Sequence, residues 1–241
     1  MNDLIPISDN QKAFIANGIF RAISLDMPEV IEENNLQTAL GSGLFRWNFI
    51  IRNLSDAFDA NFEAIITPRG AWKLLLLRDL NSGLSFSIMS ERNFQKISNS
   101  SSDRLHYLAA LVSKNENREP IEHQICIEGF QKKHSESILT AVRDELLSSF
   151  SGFVGEHVLI LFDYDFSTVT SLRAVLLTPE MDVAVSDDWT KFLTTTFIPD
   201  TSALAALLDE NEPIVKLKPQ FNVNSSIVTE HREAGGENNH D

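Results

Sequence analysis

Two apolar runs that flank Asn81-Ser82-Gly83 constrain this chain more than any other feature. Residues 72–79 contain four consecutive leucines, Leu74 to Leu77, and residues 84–90 form the second run. A short polar turn ending in glycine between such runs predicts a β-hairpin, because glycine supplies the positive φ that tight connections need. Residues 62–67, closed by Pro68-Arg69-Gly70, read as a third strand beside it. The same order of strand, turn, strand, turn, strand returns at 156–185: an almost continuous apolar run at 156–166, a second at 172–178, then Pro179-Glu180 and a third at 181–185. Each block follows a strong helical pattern, although residue identity between the two blocks is poor.

The helices are legible by period. Ser8-Asp9 predicts an N-cap ahead of Phe14, Ile15, Ile19, Phe20 and Ile23, with Gly18 weakening the pattern and Met27-Pro28 marking a break. Residues 44–58 place Phe45, Ile50, Ile51, Leu54 and Phe58 on one broad apolar face, with Trp47 or Phe49. Asp103 caps a helix bearing Leu105, Leu108 and Val112. Residues 121–130 read as a strand and 135–150 as a helix whose stripe is Ile138, Leu139, Val142, Leu146 and Leu147. Asp187 or Asp188 caps a segment with Trp189, Phe192 and Leu193, and residues 201–210 form a short helix that Pro213 stops. Helices segregated from antiparallel hairpins give an α+β fold, a sheet packed on amphipathic helices. No glycine-rich phosphate fingerprint follows a strand. The expected organisation is one domain over 1–221, with a helical part at 8–59 and an α+β body at 60–221. Residues 222–241 are too polar to offset the entropy of ordering and read as a disordered tail.

At 43% hydrophobic residues the chain can fill a sizeable core without a disulfide or metal. Its single cysteine, Cys126, excludes an internal disulfide and reads as a small buried hydrophobe. No basic leader precedes a long apolar stretch, and no run approaches the ~18–20 residues of a membrane span. The expectation is a cytoplasmic protein. Net charge is −14, and residues 180–241 alone hold twelve acidic and four basic side chains. A field of this sign repels phosphate backbones and anionic membranes at long range, which disfavours non-specific nucleic-acid binding.

Residues 39–92 form the segment that is not net negative. Its Arg46, Arg69, Trp72 and Lys73, with Trp47 and Arg52, are the candidate anion-binding set, because guanidinium forks suit phosphates and carboxylates. The plainer reading pairs these cations with Asp56, Asp59 or Asp79 and buries both tryptophans. Asp163-x-Asp165 at the end of an apolar strand is a candidate Mg²⁺ pair, with Lys73 holding phosphate, since residues i and i+2 of a strand share a face. Such pairs also mark a strand's exit into solvent. Arg118-x4-His123 has the spacing of the HEPN ribonuclease motif, but Pro120 interrupts the helix that motif requires. His106, His134 and His157 lack metal-ligand spacing, and no metal site is expected.

The residues Arg46-Trp47-Asn48, Arg69-Gly70-Ala71-Trp72-Lys73, Asp79, Met89, His106-Tyr107-Leu108 and Trp189 resemble an uncharacterised bacterial domain-of-unknown-function family over residues 40–195. The resemblance implies no activity and no catalytic residue. It implies a bacterial or mobile-element source, where small proteins of phage defence, counter-defence and regulation are common. With no complete catalytic set, the expected function is a non-catalytic accessory or regulatory protein without a cofactor. Asp187, Asp188, Asp209, Glu210 and Glu212 would face a basic protein partner. The alternatives are a metal-dependent enzyme acting on nucleic acid or nucleotide through Asp163, Asp165 and Lys73, and a small-ligand sensor built on the Arg/Trp cluster.

Overall fold

A computed structural model describes residues 5–35, 41–55, 61–69, 72–98, 105–121 and 134–193, all within one compact unit, Met1–Phe197. The strand expected at 121–130 beyond Ile121, the helix at 201–210 and the tail at 222–241 lie outside the described residues. So do Asp56, Asp59, Asp103, His123 and Cys126.

Six strands form one sheet in sequence order: β1 (Phe62–Arg69), β2 (Trp72–Asp79), β3 (Ser85–Ser90), β4 (His157–Asp165), β5 (Thr168–Leu177) and β6 (Val183–Asp188). Every neighbouring pair is antiparallel except β3 and β4. The repeated order in the sequence is therefore two three-stranded meanders laid side by side, with parallel strands where they meet. At the first turn Asp79 holds the connection, its carboxylate accepting from the Ser82 N–H at 2.7 Å while Gly83 takes φ +74°. Parallel pairing requires a crossover. Here it is built from α4 (Glu91–Ser98), α5 (Tyr107–Val112) and α6 (Glu136–Leu147). The sequence reading did not anticipate α4, whose eight residues offer only Phe94 and Ile97 as a helical period.

The N-terminal helices cover the opposite face. They are α1 (Asp9–Arg21), α2 (Met27–Glu33) and α3 (Ser42–Ser55). Ser8 and Gln11 close a reciprocal capping box at the start of α1. A β-carbon on Gly18 would collide with the Leu54 side chain, so glycine permits the close approach of α3. The break expected at Met27-Pro28 is instead a π-helical widening, Ala22–Asp26, that runs on into α2 with Pro28 in its first turn. A wider turn accommodates the N–H that proline lacks and the carbonyl that its ring crowds.

Two cores follow from strand alternation. Ile15, Ile19, Ile50 and Leu54 pack on Leu75, Leu77, Phe86, Ile88 and Ile160. Phe94, Leu108, Leu111 and Leu146 pack on Leu74, Leu76, Leu159, Leu161 and Val175. Helices on both faces explain why β2 and β4 show continuous apolar runs rather than alternation. Ile138, expected in the α6 stripe, is half exposed. Among the described residues no helix is long and apolar enough to cross a membrane.

The amino-terminal ends of β3 and β4 are tied by a closed polar knot. His157 is fully buried, its Nδ1 lying 2.9 Å from Ser85 Oγ and its Nε2 2.8 Å from Ser87 Oγ. Asn115, just past α5, accepts from the His157 N–H and donates to the carbonyls of His157 and Leu177. Burial, assisted by the charge of Arg143, pushes the His157 pKa down to about 3.

Candidate functional site

Because β3 and β4 run parallel, both carboxyl-terminal ends point the same way. The chain leaves β3 for α4 on one face, while α3 overhangs the other. A crevice outside the carboxyl ends of parallel strands, where the connections part, is where open sheets take their ligands. In this chain that place is a cavity of about 550 Å³, within the usual range for small-molecule sites.

Its floor is the sheet end. Ile88, Met89 and Ser90 close β3, with Phe162 and Tyr164 at the end of β4 and Trp72 at the start of β2. On the β2 side four rings form a continuous wall. Trp47 meets Trp72 edge-on at 6.3 Å, Trp72 lies 5.6 Å from Tyr107, and Tyr107 lies 4.3 Å from His106. Trp47 is anchored by donating from Nε1 to the Lys73 carbonyl at 2.6 Å. Trp72 remains 38% exposed, so it is not packed in a core.

The β4 side is cationic. Arg46, on α3, lies 4.7 Å over the Tyr164 ring and donates to Tyr164 Oη at 3.2 Å and to the Phe166 carbonyl at 3.4 Å. Its Nε is buried without a hydrogen-bond partner among the described residues. Lys96 reaches the cavity from α4, which packs on β3 and β4. Among the described residues that line the cavity none is an aspartate or glutamate. A chain of net charge −14 thus places the cations Arg46 and Lys96 at this cavity.

His106 adds a third donor. It is the N-cap of α5, and its Nδ1 accepts the Leu108 N–H at 3.2 Å. An Nδ1 that accepts holds no proton, so the neutral ring carries its proton on Nε2 and presents a donor there. The ring is kept neutral because burial and the nearby Arg69 charge bring its pKa down to about 4. Burial raises the Tyr107 hydroxyl pKa, so that phenol also stays protonated.

The residues singled out in the sequence divide as follows. Arg46 and Trp72 line the cavity, and Arg69, paired with Trp72 across the β1–β2 register, stands close enough to act on His106 and Tyr107. Lys73 is exposed on β2 and does not line the cavity. Asp79, offered as an internal partner for these cations, instead accepts from Gln11 and Ser82. Asp163 and Asp165 are exposed on the β4–β5 hairpin outside the cavity, and the register shifts between Asp163 and Tyr164. The residue that this shift leaves unpaired, Thr170, lies on β5, so Asp163 and Asp165 still alternate with Tyr164 along β4. Among the described residues no three His, Cys, Asp or Glu side chains gather as a metal would require. Asp187 is engaged internally by Lys12 Nζ at 3.0 Å and Trp189 Nε1 at 2.9 Å. Asp188 is exposed, and its hydrogen bonds to Thr190 hold its carboxyl below the usual range. Asp209, Glu210 and Glu212 lie outside the described residues. Sequence reasoning missed Lys96, His106, Tyr107 and Tyr164 as site residues. Only the topology brings them to Arg46 and Trp72.

The chain belongs to the family of unknown function DUF5986, whose model matches residues 4–234. No curated protein and no solved structure matches it.

Proposed function

We propose, since membership of this family carries no activity with it, that the cavity at the carboxyl ends of β3 and β4 binds a small anion bearing a flat ring. On this reading the protein is a non-catalytic, ligand-responsive accessory or regulatory component of a bacterial cytoplasm. One observation carries the proposal: Arg46, Lys96 and His106 line a cavity to which the described residues contribute no carboxylate, and the His106 proton lies on Nε2. Cationic donors without paired carboxylates favour an anionic ligand, and a guanidinium held over a ring is already oriented to meet one. The ring wall supplies apolar area and stacking at little conformational cost. The reading calls for no metal. A basic protein partner would be met outside the cavity, by an acidic surface that includes Asp188.

The test uses 8-anilino-1-naphthalenesulfonate, a flat aromatic anion that fluoresces on binding, beside its uncharged counterpart N-phenyl-1-naphthylamine. The folded protein is expected to bind the sulfonate saturably and at least tenfold more tightly than the neutral compound. Arg46→Gln is expected to remove that preference, because a charge-assisted hydrogen bond contributes about 1.5–3 kcal/mol. Equal affinity for the two compounds, unaltered by Arg46→Gln, would defeat the proposal.

A further inference from the structure

The order of side chains along the cavity floor names a ligand class. Strand β3 lies between β2 and β4, so the cavity has three stations in a row. At β2 stands the ring wall of Trp47, Trp72 and Tyr107. At the end of β3 stand Ser90 and Asn93, where the Ser90 hydroxyl accepts the Asn93 N–H at 3.3 Å and keeps its own proton to donate. At β4 stands Arg46 on Tyr164. Two strand spacings set the outer stations roughly 10 Å apart.

We infer that the ligand is a nucleotide, with its base on the Trp72 wall, its ribose at Ser90 and Asn93, and its phosphate at Arg46 and Lys96. This deepens the proposed function and rests on it. The order and the spacing of the three stations decide between ligand classes. A ring carrying a carboxylate one or two bonds away cannot reach both outer stations, whereas a nucleotide interposes a sugar. That sugar bears hydroxyls that both donate and accept, as Ser90 and the Asn93 amide do. Stacking tolerates any base because each has a flat face, so the wall selects the class rather than one member. Arg46 and Lys96 approach from α3 and α4, on opposite faces of the sheet, and can bracket a phosphate between them.

The experiment follows quenching of tryptophan fluorescence in the full chain. Trp47 and Trp72 lie in the wall, and the third tryptophan, Trp189, is fully buried in the core. The probes are the four common nucleoside 5′-monophosphates, their nucleosides, inorganic phosphate and indole-3-acetate. The best monophosphate is expected to bind at least tenfold more tightly than its nucleoside, than phosphate and than indole-3-acetate. Arg46→Gln should erase the advantage over the nucleoside. Trp72→Ala should weaken nucleotide and nucleoside alike and leave phosphate unchanged, and Trp72→Phe should restore most of the loss. A monophosphate no tighter than its nucleoside overturns the placement of phosphate. Indole-3-acetate binding as tightly as any nucleotide overturns the nucleotide class while the anion site stands. Failure of every nucleotide together with loss of the naphthalenesulfonate preference overturns both readings.

Discussion

At the amino-terminal ends of β3 and β4 the imidazole of His157 has both nitrogens occupied by serine hydroxyls, and Asn115 ties the strand on which it sits to β5. At the carboxyl-terminal ends the imidazole of His106 lines a cavity, with one nitrogen occupied by a helix cap and the other without a hydrogen-bond partner among the described residues. Both rings are held neutral by burial first and a neighbouring arginine second. A depressed pKa therefore does not separate a structural histidine from one that can meet a ligand. What separates them is whether each donor and acceptor already has a partner. In the buried knot the named groups are satisfied, so it contributes stability and cannot exchange partners. In the cavity the Arg46 Nε is buried with no partner among the described residues, and such a desolvated group favours binding something that supplies one.

The contrast is broken most severely at Asn115. Replacing it with alanine removes three buried hydrogen bonds and leaves the His157 N–H and two carbonyls unsatisfied, a loss of about 3–4 kcal/mol. Urea denaturation should register that loss, while probe binding by the remaining folded protein stays at the wild-type value. A loss under 1 kcal/mol would show that the knot is not closed, and weaker probe binding by folded protein would show that the two ends are coupled.

Acid tests the same knot more gently. His157 stays neutral in the folded protein down to about pH 3, whereas the unfolded chain takes up its proton near pH 6.5. Between those values the unfolded state binds more protons, so stability falls as pH falls. Above pH 6.5 this group contributes no pH dependence. The limiting slope is about 1.4 kcal/mol per pH unit for one fully buried imidazole. Measured between pH 6.5 and 5, above the range where carboxylates titrate, the decline should be about half as steep in His157→Leu, because His106, with a pKa of about 4, contributes the same slope there. Equal slopes in the two proteins would mean that folded His157 accepts a proton.

The fold was largely legible because its signals are local. The Asn81-Ser82-Gly83 turn, the Ser8 cap and the paired blocks at 61–90 and 156–185 are written in neighbouring residues, and they appear in the structure where the pattern puts them. The site was half legible. Arg46, Arg69 and Trp72 stood out by residue type in the segment that is not net negative. Lys96, His106 and Tyr164 reach the same place only because β3 and β4 pair in parallel, and no local pattern announces a pairing between residues 72 apart, such as Ser87 and Leu159. The short helix α4 was illegible for a related reason, since its formation depends on packing Phe94 into a core assembled from distant strands.

His106 gives the finest discrimination, because its two nitrogens serve different ends. His106→Ala removes both the cap and the Nε2 donor, and is expected to cost about 1 kcal/mol of stability, as loss of an N-cap does. His106→Asn keeps an acceptor for the Leu108 N–H, so most of that stability should return. Its shorter side chain cannot place a donor where Nε2–H stood. Affinity for the naphthalenesulfonate should therefore stay several-fold below wild type in both variants, while denaturant midpoints separate them. Recovery of affinity along with stability in His106→Asn would make His106 a cap and nothing more, and would leave anion recognition to Arg46 and Lys96.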